Sequence, residues 1–447
     1  MSTIVIEHLA RVEGHGGITV ELEGDAVTSV HFDVFEGARL LEPLLRGKRY
    51  DEVAPILSRI CSICSTAHTL TSLKATENAF GIHVSPQTEL LRELMFRGES
   101  IESHALHLFL LALPDYLNYP SAIAMAADKP AAALLGLRIK KLGNTIQEVI
   151  GGRAIHPVNA VLGGFGKVPS YDNLIALRSG LMQAMSDCDT VIDLIASLPA
   201  TDFCHSDTWF AALRSPNLDC YYAGDEVMVV SNGNRAIVHA ADYRSLTNEK
   251  AVAHSHAKHS TFRGSPFMVG SLARLTVNPR RLTGKLAVAM KRLKLQLPAD
   301  NPMDNNKAQA LELINDFERA LEIIEQLLRD GVKDERAIPV HPRAGIGAAI
   351  TEAPRGLLIH SYTYDEEGRI ANADVITPTA LNAASIELHL RRTVEQCAER
   401  EEAVITKRLQ MVARAYDPCI SCSVHLVRPC APVGLSYTRT ENPTKRF

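Results

Sequence analysis

Arg59-Ile60-Cys61-Ser62-Ile63-Cys64-Ser65-Thr66-Ala67-His68 and Asp417-Pro418-Cys419-Ile420-Ser421-Cys422-Ser423-Val424-His425 are the two stretches on which the reading of this chain turns. Each carries Cys-x-x-Cys followed closely by a histidine. Two sulfurs so spaced can converge on one centre, and thiolates select soft or borderline metals. The pairs stand near opposite ends of 447 residues, whereas structural zinc pairs usually close a short loop. On spacing alone a four-cysteine structural zinc site stays open beside a catalytic metal centre. The adjoining histidines read as outer hydrogen-bond partners or further ligands.

Working outward, the chain has nine cysteines. An odd number scattered over a long chain does not fit a secreted disulfide framework. Cys188, Cys204, Cys220, Cys397 and Cys430 read as small buried hydrophobes. Apolar residues make up 46% and charged residues 22%, the balance of a soluble globular protein. Lys+Arg at 47 against Asp+Glu at 51 gives −4, which argues against a nucleic-acid-gripping surface. Aromatics at 5% argue against single-strand stacking platforms. No apolar run reaches the roughly 20 residues of a membrane span. The stretch 121–139 comes nearest and is broken by Asp128-Lys129-Pro130. Residues 1–11 lack the basic start and apolar stretch of a secretory signal, so the expected location is cytoplasmic.

Alternation over about 1–35 predicts a small β-hairpin or meander. Residues 36–60 read as two short helical stretches around a Gly-Lys turn at 47–48. Helical spacing covers 87–113, stopping at Pro114, and 130–150, closed by Gly151-Gly152. Further helices are predicted over 171–198 and 303–330, and one or two over 379–415. Residues 200–275 are mixed with strand-like runs such as 227–230, and 344–376 read as strands and turns. The expectation is an α+β, predominantly α fold: one interleaved domain over 1–447, with a long-helix core and small β additions.

The cysteine constellation resembles the large, catalytic subunit of nickel–iron hydrogenases, whose two signature motifs are complete here. The likeness extends to Arg11-Val12-Glu13-Gly14-His15, Arg153-Ala154-Ile155-His156-Pro157 with Gly163-Gly164, Glu352-Ala353-Pro354-Arg355-Gly356 and Thr377-Pro378-Thr379. It is nearest the cytosolic, nicotinamide-linked sulfhydrogenase-type α subunits, through Ile101-Glu102-Ser103-His104-Ala105-Leu106-His107 and Ala253-His254-Ser255-His256-Ala257-Lys258-His259. The resemblance implies nickel held by four thiolates, with Cys61 and Cys419 terminal and Cys64 and Cys422 bridging to an iron bearing cyanide and carbonyl. It implies His68 on the sulfur of Cys64. Arg355 would lie over the open metal position, beside Pro354 and Asp417, and Thr379 would donate to a cyanide. A surface ion pair for Arg355 and a helix N-cap for Thr379 are the competing readings. Glu13 would relay a proton from Cys419. Glu42, the carbonyl of Val375 and His425 would hold a distal magnesium or iron. Many respiratory members have an Asp where alignment puts Ser103, which leaves Asp417 and Arg355 as the polar cover.

The activity so implied is reversible heterolytic cleavage of H2, with electrons passing to a small subunit carrying iron–sulfur clusters. Flavin- and NAD(P)-binding diaphorase subunits would follow, because this chain has no G-x-G-x-x-G after a strand and no further cysteine motif for clusters. Gly163-Gly164-Phe165-Gly166-Lys167 is no P-loop, since Val161 and Val168 replace its first Gly and its Ser/Thr. His104 and His107 read as core or network histidines, and His254, His256 and His259 as a possible metal cluster without a family role. Rival readings are sulfur or polysulfide reduction by the same complex, and a non-catalytic electron-transfer scaffold. The 22 residues after His425, with four basic residues and three prolines, read as a propeptide (426–447) removed by a maturation protease.

Overall fold

The computed structural model describes residues 2–37, 41–214, 221–231, 233–279, 282–399 and 401–424. The alternating N-terminus forms an antiparallel meander of β1 (Ser2–Ile6), β2 (Gly16–Glu23) and β3 (Ala26–Val34). Its register sets Ile6 against Ile18 and Ile18 against Phe32. One period-2 row of apolar side chains thus faces the core, as the pleat requires.

Directly after the first cysteine pair runs α1 (Ser65–Phe80). Sequence reading found no helix here. Nearly every side chain of α1 is buried, so it has no apolar stripe to detect. Its Thr and Ser residues are also indifferent helix formers. Thr69, Thr71 and Thr76 donate their hydroxyls to the carbonyls of Ser65, Ala67 and Ser72 instead of to solvent. Next come α2 (Pro86–Leu106), capped by the Ser85 hydroxyl, α3 (Pro130–Gly151) and α4 (Tyr171–Ala196). The expected stop at Pro114 is wrong. The chain passes through a π-helical turn, His107–Ala112, and continues helically to Tyr116. Pro114 falls in the first turn of this last piece, where a missing N–H costs little.

A sheet follows: β4 (Trp209–Leu213), β5 (Glu226–Ser231) and β6 (Asn234–His239) are antiparallel neighbours. The hairpin β7 (Lys250–Val252) and β8 (Ser255–His259) stands apart, and β9 (Phe267–Met268) pairs parallel with β4. The long α5 (Asn305–Asp330) packs on α2 and α4, and α2 on α3. A second meander, β10 (Gly345–Ala353), β11 (Gly356–Tyr364) and β12 (Ile370–Ile376), leads to α6 (Pro378–Glu395) and α7 (Glu402–Ala415). Helix α1 lies on β10 and β11. It comes so near that a Cβ on Gly347 would be 2.1 Å from the Ala75 carbonyl oxygen, so only glycine fits there.

Four arginines, Arg92, Arg97, Arg274 and Arg414, are among the largest fully buried side chains. Each meets a carboxylate from another element: Glu77, Asp316, Glu312 and Asp115 respectively. A buried guanidinium is tolerable only when paired and hydrogen-bonded, so these pairs fix how helices and strands dock. No helix among the described residues is long and apolar enough to cross a membrane. Residues 121–139 form two helical pieces broken at Lys129, as expected.

Candidate metal centre

Cys61 lies in extended backbone after a 3-10 turn, and Cys64 is the N-cap residue of α1. Cys419 and Cys422 belong to a short turn of helix, Ile420–Ser423 and its cap. All four are buried, and their sulfurs lie within 4.8 Å of one another. Cys61 Sγ is 3.3 Å from Cys419 Sγ, and Cys64 Sγ 3.5 Å from Cys422 Sγ. The sulfurs of Cys419 and Cys422 are in disulfide contact; reduced, the four make one donor set. Metal–sulfur bonds of about 2.3 Å put tetrahedral ligand sulfurs about 3.8 Å apart. The cluster therefore fits a thiophilic metal. Cys61 is drawn below its usual thiol range by its hydrogen bond with Cys64, and Cys64 is pushed above it by the same bond and by burial.

The terminal segment is held from three sides. Glu13 pairs with Cys419 in a parallel bridge, and its carbonyl accepts the Ile420 N–H at 2.9 Å. Glu13 Oε2 accepts from the Cys419 thiol and the Ser421 N–H, both at 3.1 Å, and Oε1 from the Ser421 hydroxyl. Gly14 has φ +87, and a Cβ there would sit 2.7 Å from Ser421 N. From α6, Thr379 Oγ1 accepts the Cys419 N–H at 2.9 Å, and the Thr377 hydroxyl donates to the Cys422 carbonyl at 3.0 Å. The N-cap of α6 is Thr377, which removes the cap reading of Thr379 and leaves its hydroxyl hydrogen to donate elsewhere.

Arg355, 3% exposed, is no surface ion pair. Its Nε donates to the Asp417 carbonyl at 2.7 Å and Nη2 to Asp417 Oδ1 at 2.9 Å. Burial alone would weaken its hold on the proton, but Asp417 and then Cys61 and Cys64 keep its pKa above the ordinary value. Nη1 is buried without a partner among the described residues. An orphaned guanidinium N–H near the Cys61 and Cys64 thiols suits a bound anionic or metal-linked group. Pro354 contributes its carbonyl to Arg274 Nη2 at 2.9 Å. Asp417 is steadied by Gln309 at 3.2 Å, which in turn meets His107.

The remaining expected residues are placed as follows. Glu42 Oε1 accepts the Val375 N–H at 2.9 Å, so these two residues are brought together. His425 and the proposed propeptide lie outside the described residues. His68 Nδ1 lies 3.2 Å from His360 Nε2; His360 Nδ1 is 2.6 Å from the Tyr362 hydroxyl, which donates to Ser72. His104 and His107 are network residues, at 2.9 Å from Glu312 Oε2 and 2.7 Å from the Arg414 carbonyl. Ser103 is fully buried, with a hydroxyl that has no partner among the described residues.

Sequence reading missed an inner layer. Glu99 accepts the Thr66 N–H at 2.7 Å at the start of α1, and burial pushes its carboxyl well above the usual range. Arg274 holds Glu312, Glu352 and the carbonyls of Ala353 and Pro354, and so locks the turn carrying Arg355. Burial raises Glu352 to about 7 despite Arg274. On a helix such as α5, a Glu facing inward looks in sequence like a solvated face, so no signal marked it.

Comparison with known proteins follows the same outline. A nickel-dependent hydrogenase family model matches residues 39–136 and 217–425, and a HoxL-like model matches residues 3–36. Sulfhydrogenase 1 subunit alpha of Pyrococcus furiosus is 39% identical over 431 residues, covering 95% of this chain and 98% of its own. Sulfhydrogenase 2 subunit alpha of the same organism is 37% identical, covering 95% and 99%. The crystal structure of an NAD+-reducing [NiFe]-hydrogenase in the H2-reduced state superposes with a TM-score of 0.83 at 27% identity, over 95% of this chain and 100% of that one. The chain belongs to the nickel-dependent hydrogenase family. Within that family it is a large subunit, an oxidoreductase acting on H2, with a buried cysteine cluster able to hold a metal.

Proposed function

We propose that this subunit cleaves and forms H2 reversibly. Its electrons leave one at a time to an iron–sulfur small subunit, and from there through flavin-bearing diaphorase subunits to NAD(P)+. The observation that carries the reading is one buried cluster. Four cysteine sulfurs lie within 4.8 Å of one another, Glu13 is hydrogen-bonded to Cys419, and Arg355 Nη1 has no partner among the described residues. A nickel–iron pair with cyanide and carbonyl on the iron supplies the Lewis-acid polarisation of H2 and accepts its electrons.

The chain's own groups do the rest. Cys61 and Cys419 would hold the nickel through their thiolates, and Cys64 and Cys422 would serve both metals. Arg355, held by Asp417 and seated beside Pro354, offers a fixed positive N–H to the reacting space. The Thr379 hydroxyl would donate to a cyanide on the iron, and His68 would orient the Cys64 sulfur. The Cys419 sulfur takes the proton and hands it to Glu13 Oε2, already 3.1 Å away. Glu42, the Val375 carbonyl and His425 would hold a distal magnesium or iron. The NAD+-reducing protein of similar fold supports nicotinamide coupling, and with it a cytoplasmic workplace. The name sulfhydrogenase, borne by the Pyrococcus relatives, supports polysulfide reduction by the same complex as a second reading. An assay of the complex with polysulfide tests that reading.

Val424 is buried and bridges to Ala257. The following segment, 426–447, holds four basic residues and three prolines, which resist burial. Its removal after His425 by a maturation protease, once nickel is in, accounts for this arrangement. Intact mass of active enzyme checks it: nickel-loaded, active chains still ending at Phe447 refute it. The function itself is tested by nickel and iron per chain together with infrared bands of cyanide and carbonyl. A purified, H2-active complex with zinc alone and no such bands overturns it.

A further inference from the structure

Away from the cysteines, three elements bring imidazoles around one carboxylate. His31 comes from β3, His254 from the turn between β7 and β8, and Glu387 from α6. One ligand atom from each lies within 4.8 Å of the others. His254 Nε2 is 2.7 Å from Glu387 Oε1, which also accepts the Phe32 N–H at 2.9 Å. The rings of His31 and His254 are 4.1 Å apart between centroids. His259 stands beside them, its Nδ1 3.6 Å from Glu387 Oε2 and its ring edge-on to His254 at 5.5 Å.

A simple histidine–carboxylate pair needs one imidazole, and here three crowd one carboxylate. Two of their ring nitrogens, His31 Nδ1 and His259 Nε2, are buried with no partner among the described residues. Buried polar groups are normally satisfied, so such atoms ask for a ligand. The backbone amide on Glu387 is the kind of outer contact that orients a metal-binding carboxylate. His254 and Glu387 keep 23% and 19% of their side chains exposed, so an ion can reach them.

We propose that His31, His254 and Glu387 hold one divalent transition-metal ion of the zinc type, distinct from the four-cysteine centre. Two nitrogens and one oxygen with a further position open to solvent is a familiar zinc donor set. Bonds of about 2.0–2.2 Å would set the three ligand atoms roughly 3.3 Å apart, a side-chain adjustment of about 1 Å that opens the His254–Glu387 contact and closes the others. The ion ties β3 and the β7–β8 hairpin to α6. These same elements hold the terminal cysteines: Ala257 of β8 bridges to Val424, and Thr377 and Thr379 of α6 bond Cys422 and Cys419. The site is thus a staple behind the wall on which the C-terminal cysteine pair rests.

The test uses the purified hydrogenase complex, stripped with a mild chelator and titrated with zinc ion. One zinc per chain beyond nickel and iron is expected, with an absorption-edge spectrum showing nitrogen and oxygen neighbours only. Zinc should also raise the thermal midpoint. His254→Gln and Glu387→Gln should each weaken zinc binding at least tenfold and abolish the zinc-dependent rise while nickel content stays. His31→Gln serves as the independent third variant should one of these fail to fold. Absence of bound zinc in the wild type, sulfur neighbours in the spectrum, or undiminished zinc binding in folded Glu387→Gln overturns the proposal.

Discussion

Glu13 is the residue whose chemistry is most exposed to test. Its carboxylate holds the Cys419 thiol and the Ser421 amide at once. An amide is nearly isosteric and keeps an acceptor oxygen, yet it does not relay a proton. Glu13→Gln should therefore keep nickel and iron and lose about 10²-fold or more in H2 turnover. A variant with wild-type turnover removes Glu13 from the relay. At the ligands, Cys61→Ser and Cys422→Ser should abolish metal retention and activity, because an alkoxide is a poor soft-metal ligand. Cys188→Ser and Cys397→Ser should leave metal content alone. Cys397 Sγ spends its contacts on Glu399 and Arg408, and Cys188 on its own helix. Metal analysis of the four variants checks the division.

At the scale of the element, α6 matters because its first turn holds the cysteines and its fourth carries His389. Nδ1 of His389 is 2.7 Å from the Tyr416 hydroxyl and Nε2 3.2 Å from Thr208 Oγ1. Burial lowers its pKa to about 4 from the ordinary 6.5. In that window the unfolded chain binds a proton that the folded one refuses. Its contribution is complete above pH 6.5 and drains away as pH falls toward 4, by an amount on the order of 1–3 kcal/mol. His389→Gln should flatten the fall in thermal midpoint between pH 7 and 4.5; an unchanged slope shows that other groups dominate. The loop before β2 makes a second case. Gly14→Ala puts a Cβ 2.7 Å from Ser421 N at φ +87. It costs at least about 1–2 kcal/mol in left-handed backbone alone and should reduce nickel occupancy.

Over the whole molecule, buried ion pairs set the docking of the parts. Arg274 links the helix Ser271–Val277 to α5 and to the β10–β11 turn that bears Arg355. Burial would raise Glu312, but Arg274 outweighs it and holds that carboxyl below its usual range. Arg274→Met strands two buried carboxylates and should cost about 3–5 kcal/mol, read as a lower thermal midpoint and a poorly assembled metal centre. If Arg274→Met is as stable as the wild type, the pair is not what fixes the Arg355 turn.

The N-terminal meander and the long helices α3, α4 and α5 were legible in the sequence because each keeps part of its surface outside the core, and the second meander because its strands are apolar runs bounded by turns. So were the four cysteines, Glu13, Arg355, Asp417 and Thr379, because local motifs surround them. Helix α1 was not legible, because burial on every side erases periodicity, and the π turn at 107–112 carried the helix past a proline that local rules treat as a stop. The inner charged layer of Glu99, Arg274, Glu312 and Glu352 and the His31–His254–Glu387 cluster could emerge only in three dimensions. Their members come from segments up to hundreds of positions apart. A charged side chain looks the same in sequence whether water or a buried partner receives it, and only tertiary packing decides which.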